Sequence, residues 1–163
     1  MKKFFLVFAA FFSGIVTSQG QSINQTGFVK FFPVSSDEMK FTQSGFVPDG
    51  KIYWVETDES FGEVFLSFSN IAHPGNPTSA SLIFNIPQVT DAQSSTGVNV
   101  YFENKVIGNA GQASSGSNLK INLDISLLKG KNQFTLVLKG GGPDGLAIFS
   151  KASGYGAYLE FIY

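Results

Sequence analysis

The chain is 163 residues long, 43% hydrophobic and 14% charged, with 18 Phe, no Cys and a formal net charge of −1. Without Cys there is no disulfide, no thiol nucleophile and no Cys-ligated zinc. All 11 basic residues are Lys, so the chain lacks both the Arg and the basic excess with which nucleic-acid binders hold phosphates and base edges.

Residues 1–20, MKKFFLVFAAFFSGIVTSQG, read as a secretory signal peptide. Lys2 and Lys3 form the charged start, Phe4 to Phe12 an apolar run too short to span a bilayer, and small residues around Ser18 and Gly20 a cleavage position. Residues 21–163 are then expected to be released as a secreted, extracellular domain with no membrane span, long enough to bury one core.

Residues 26–32 read as a first strand, ended by Pro33, and residues 38–42 as a short second one. Pro48-Asp49-Gly50 signals a turn before a strand at 51–55. The acidic run 56–60 leads into two strands that flank His73-Pro74-Gly75-Asn76-Pro77. In the first, Val64, Leu66 and Phe68 alternate with Glu63, Phe65 and Ser67. In the second, Ala80, Leu82, Phe84 and Ile86 alternate with Ser81, Ile83 and Asn85. A period of two gives each strand one core face and one outward face, and this pair is expected at the hydrophobic centre. Residues 87–96 read as polar loop, 98–102 as strand and 108–116 as flexible surface loop. Leu119, Ile121, Leu123 and Ile125 alternate along a strand, residues 126–131 fit a single helical turn, and strands follow at 134–138, 146–149 and 157–163. No helical period persists, so the expectation is an all-β chain forming a single antiparallel β-sandwich with jelly-roll-like connections.

Three segments carry a resemblance. Pro33-Val34-Ser35-Ser36-Asp37 precedes a strand. Leu66-Ser67-Phe68-Ser69-Asn70-Ile71 leads through a loop to Ser79-Ala80-Ser81-Leu82-Ile83-Phe84. Ile148-Phe149-Ser150-Lys151 is followed by Leu159-Glu160-Phe161-Ile162-Tyr163. Together they resemble the disaggregatase-related, DNRLRE-type β-sandwich domains grouped with the family 96 carbohydrate-binding modules. Ser69 stands where that family has Asp, and Ala152 where it has Glu. The resemblance implies binding of an extracellular polysaccharide, with acidic glycans such as alginate one class.

The chemistry-bearing residues are few. His73 is the only His; it has no local partner for nucleophilic or metal work and reads as an exposed loop residue. Glu56, Asp58, Glu59 and Glu63 cluster. Paired carboxylates run glycoside hydrolysis, and oxygen ligands hold a structural Ca²⁺. A solvated edge or loop is preferred, since no calcium-loop spacing is present. Gly140-Gly141-Gly142 lacks the Lys-Ser/Thr of a phosphate loop and reads as a strand connection. No catalytic residue, metal ligand or cofactor is therefore assigned. Trp54 reads as core. If Ile52 and Trp54 face inward, Tyr53 faces out beside Lys51 and Val55. Sugar binding needs a flat aromatic and polar groups, and an acidic glycan adds a need for Lys. The candidate ligand-binding residues are Lys40, Lys51, Tyr53, Lys151 and Tyr155. The leading expectation is a secreted, non-catalytic polysaccharide-binding module. The alternative is a structural or adhesive extracellular sandwich acting through protein–protein contacts.

Overall fold

A computed structural model describes residues 29–40, 50–55 and 62–163. The signal segment, most of the 48–50 turn and the acidic run 56–60 lie outside these residues. Among the described residues eleven strands follow one another: β1 (Val29–Pro33), β2 (Ser36–Lys40), β3 (Ile52–Val55), β4 (Glu63–Phe68), β5 (Ser79–Asn85), β6 (Val98–Phe102), β7 (Lys105–Ala110), β8 (Asn118–Leu123), β9 (Phe134–Gly140), β10 (Leu146–Phe149) and β11 (Tyr158–Ile162). They form a four-stranded sheet ordered β1-β11-β5-β8, a five-stranded sheet ordered β2-β4-β9-β6-β7, and a two-stranded β10-β3 ladder. The ladders between these strands are all antiparallel, and a single parallel bridge joins Val55 to Gly62. The protein is an all-β, antiparallel β-sandwich.

The alternation read from the sequence builds the core. Val64, Leu66 and Phe68 of β4 point inward from the five-stranded sheet, with Leu136 and Leu138 of β9 and Val98 and Val100 of β6. Ala80, Leu82 and Phe84 of β5 point inward from the other sheet, with Ile121 of β8 and Leu159 and Phe161 of β11. The two strands flanking the Pro/Gly loop are thus central, one in each layer.

The chain switches layers over two residues. Val34 N–H donates to Ala157 O at 2.9 Å in one sheet, and Ser35 N–H donates to Ser67 O at 2.8 Å in the other. At the opposite side β7 and β8 close the sandwich. Asp124 N–H donates to Ile107 O at 2.7 Å, and a Cβ on Gly108 would stand 2.7 Å from Asn122 O. The β3–β10 ladder reaches β5 of one sheet and β4 and β9 of the other. Its Val55, Leu146, Ala147 and Ile148 are buried.

Two expectations are corrected. β5 is not half-buried: Ser81 and Ile83, on its outward face, are also buried. Glu160 lies opposite Ser81 and Lys120 opposite Ile83, and their ion pair at 2.5 Å closes over the strand between them. Residues 108–116 are not all loop: Gly108 to Ala110 end β7, and buried Ala113 bridges Ser94. Pro33 ends β1 as its last residue, tolerated there because β1 is an edge strand.

Candidate functional site

Tyr53 and Lys151 converge on Asp37. Asp37 sits on β2, Tyr53 on β3, and Lys151 opens the 3-10 turn Lys151–Ser153. The Tyr53 hydroxyl donates to Asp37 Oδ1 at 3.3 Å. The Lys151 backbone N–H donates to Asp37 Oδ2, and its ammonium to Ser35 O. Tyr53 shares its face of β3 with Val55, which is fully buried, so its ring packs partly into the core. Ile52 and Trp54 pack partly against the core as well, so Tyr53 is half-buried rather than facing out. This cluster fastens β2, β3 and the 3-10 turn together.

Burial first, then the Asp37 carboxylate, push the Tyr53 phenol up from 10.0 to about 12. A raised folded-state value favours the neutral phenol in the fold. The contribution is whole below the unfolded value and declines as pH rises between about 10 and 12. In unfolding measured across that range, Tyr53→Phe is expected to lose less stability with pH than the wild type. Parallel curves for the two proteins would remove the Asp37 contact from the account.

Lys51 is exposed, and its carbonyl accepts from Ser150 N–H at 2.8 Å. Lys40 stands apart on β2, its ammonium 4.2 Å from the centre of the Phe65 ring. Glu63, the one described member of the acidic cluster, pairs with Lys139 at 2.5 Å. Among the described residues no group of three or more His, Asp or Glu could hold a metal ion. His73 is half-buried rather than exposed. Its Nε2–H donates to Lys131 O at 3.0 Å, so in the neutral ring Nδ1, 2.8 Å from the Tyr163 hydroxyl, accepts. It clasps the C-terminal strand to a loop.

Tyr155 enters a different setting. Ser153 Oγ donates to Ser150 O at 2.6 Å and accepts Tyr155 N–H at 3.0 Å. Gly154, at φ +83°, turns the chain between them in a conformation that suits glycine. These contacts hold Tyr155 over Phe149, ring centres 5.3 Å apart, with Tyr155 63% exposed. Beside the rings lies an open cleft of about 410 Å³, walled by Asn85, Gln88, Ser117 and Asn118. Asn85 Nδ2 donates to Tyr155 O at 3.3 Å and Asn118 Nδ2 to Asn85 Oδ1 at 3.1 Å. That chain fixes the amide orientations and leaves each with capacity toward the cleft. No charged side chain lines it.

A second cleft of about 410 Å³ is lined by Ser, Gln, Ala113 and Asp144, with no aromatic ring. Its carboxylate is engaged: Ser95 donates to Asp144 Oδ2 from Oγ at 2.6 Å and from N at 2.5 Å. Those two bonds hold the Asp144 carboxyl below the usual range.

No protein-family model matches the chain, and no curated protein matches it. Of the five residues named from the sequence, the structure gathers Tyr53 and Lys151 at Asp37, sets Lys51 beside Ser150, gives Tyr155 a cleft, and leaves Lys40 on another face. Sequence reading missed Phe149, Asn85 and Asn118 as a group. Asn85 and Asn118 are cross-strand partners on β5 and β8, so pairing the two alternating strands in register was the signal that would have joined them.

Proposed function

We propose that the protein is a secreted, non-catalytic carbohydrate-binding sandwich, and that the cleft beside Tyr155 takes a sugar. The exposed Tyr155 ring, backed by Phe149 and flanked by oriented amides, carries the reading. A pyranose offers an apolar C–H face to a ring and hydroxyls to amide donors and acceptors. The resemblance of the 148–151 and 159–163 segments to the DNRLRE-type modules points the same way. The uncharged lining favours a neutral sugar over alginate. The Lys151 ammonium, which an acidic glycan would recruit, is turned to Ser35 O.

Calorimetric titration with a short neutral gluco-oligosaccharide tests this. Tyr155→Ala is expected to weaken binding about tenfold, equivalent to about 1.4 kcal/mol, without moving the thermal midpoint. Raising salt should leave wild-type affinity unchanged, because no charge pair forms. Equal affinities for both proteins, or binding of alginate alone that fades with salt, would overturn the assignment.

A further inference from the structure

The outward face of the five-stranded sheet carries a row that the cleft does not explain. Register places Phe65 of β4 beside Val137 of β9, Val137 beside Tyr101 of β6, and Tyr101 beside Val106 of β7. Their chain neighbours Val64, Leu66, Leu136, Leu138, Val100 and Phe102 are buried, so these four side chains stand on the outer surface, with Val106 53% exposed. An outer sheet face is ordinarily polar; here an apolar strip crosses four strands. Strands lie about 4.8 Å apart, so Phe65 and Tyr101, two strands apart, sit about 9.6 Å from each other.

Polar groups edge the strip on both sides. On one side the Ser67 and Thr135 hydroxyls bond each other at 2.9 Å. On the other, Lys139 pairs with Glu63 at 2.5 Å while lying 5.2 Å from the centre of the Tyr101 ring, and Lys40 lies over Phe65. Glu38 ends the row opposite Phe65. Two carboxylates and two ammoniums leave the face without net charge.

We infer that this face is a second glycan surface, which binds an extended, uncharged, β-linked polysaccharide laid across the strands. A flat pyranose chain has apolar ring faces and hydroxyls along its two edges, matching an apolar floor with polar margins. Its electroneutrality matches the balanced charges. Two aromatic positions about 9.6 Å apart contact rings that are not adjacent in the chain, so this surface requires length where the cleft accepts a short sugar. The inference rests on the reading of the protein as a glycan binder, but not on Tyr155.

Retention on microcrystalline cellulose is the test, for wild type, Phe65→Thr/Tyr101→Thr and Tyr155→Ala. Thr keeps strand preference at both positions. The double variant is expected to lose at least tenfold in retention while Tyr155→Ala keeps most of it. Loss in the double variant with an inert Tyr155→Ala in the oligosaccharide titration would leave this surface standing and remove the cleft. Unchanged retention in the double variant overturns the proposal. Should the double variant not fold, ring resonances of Phe65 and Tyr101 in the wild type, titrated with a soluble cello-hexasaccharide, decide: shifted rings support the surface and unmoved rings overturn it. Wild-type self-association abolished by the double variant, with cellulose retention intact, would assign the face to a second copy of this chain and overturn the glycan surface.

Discussion

Phe161→Ala is expected to destabilise the domain by about 3–5 kcal/mol, the range for deleting a fully buried Phe. Phe161 is inaccessible to solvent. Its ring stands 5.9 Å from Phe32, 5.1 Å from His73 and 6.4 Å from Tyr163, centre to centre. Across the strand its partner on β5 is Ala80, too small to swing into the space. The hole should therefore stay open, and the contacts of β1, the His73 loop and the C-terminal strand should weaken together. Denaturant unfolding reads the effect as a fall in midpoint at unchanged slope. A loss under about 1 kcal/mol would mean that the cavity collapses and that this aromatic cluster is not the keystone of its layer.

Gly97→Ala is expected to cost about 3 kcal/mol or more, from backbone strain with a collision added. Gly97 has φ +68°, and a Cβ there would stand 1.8 Å from Ala110 O. The segment cannot step aside easily. Gly97 N–H donates to Ser94 Oγ at 2.7 Å, and Gly97 O accepts from Gly141 N–H at 2.9 Å. Gly130 is the control: its φ is +74°, and a Cβ there would meet nothing within 4 Å, so Gly130→Ala should cost only about 1–2 kcal/mol. Equal losses at the two positions would show that left-handed backbone alone, not the clash with β7, decides the outcome.

The sandwich was legible because β4, β8 and β9 obey a strict period of two, and the helical turn read at 126–131 appears as the 3-10 turn Ile125–Leu127, which takes Ile125 out of the strand that ends at Leu123. β5 defeated the rule. Ser81 and Ile83 look outward in the sequence, yet the Lys120–Glu160 pair from the two neighbouring strands covers them, and alternation along one strand carries no information about its neighbours. Tyr53 failed similarly: a four-residue strand with four apolar or aromatic residues has no polar side to orient it. His73 looked exposed because its partners, Lys131 and Tyr163, are 58 and 90 residues away. Tyr155 was named for its ring, but the amides that give it a cleft come from β5, β8 and the adjoining loops, which only the register assembles.

The position of β11 between β1 and β5 has a kinetic consequence. Val29 pairs with Ile162, and Ser79 pairs with the same residue from the other side. β5 can pair with β8 early, but β1 joins this sheet only through β11, the strand furthest along the chain. Such distant pairings must pay loop-closure entropy before any contact rewards them, which places this topology among the slow folders. Until β11 arrives, β1 and β5 each present an open strand edge, the template on which chains pair wrongly.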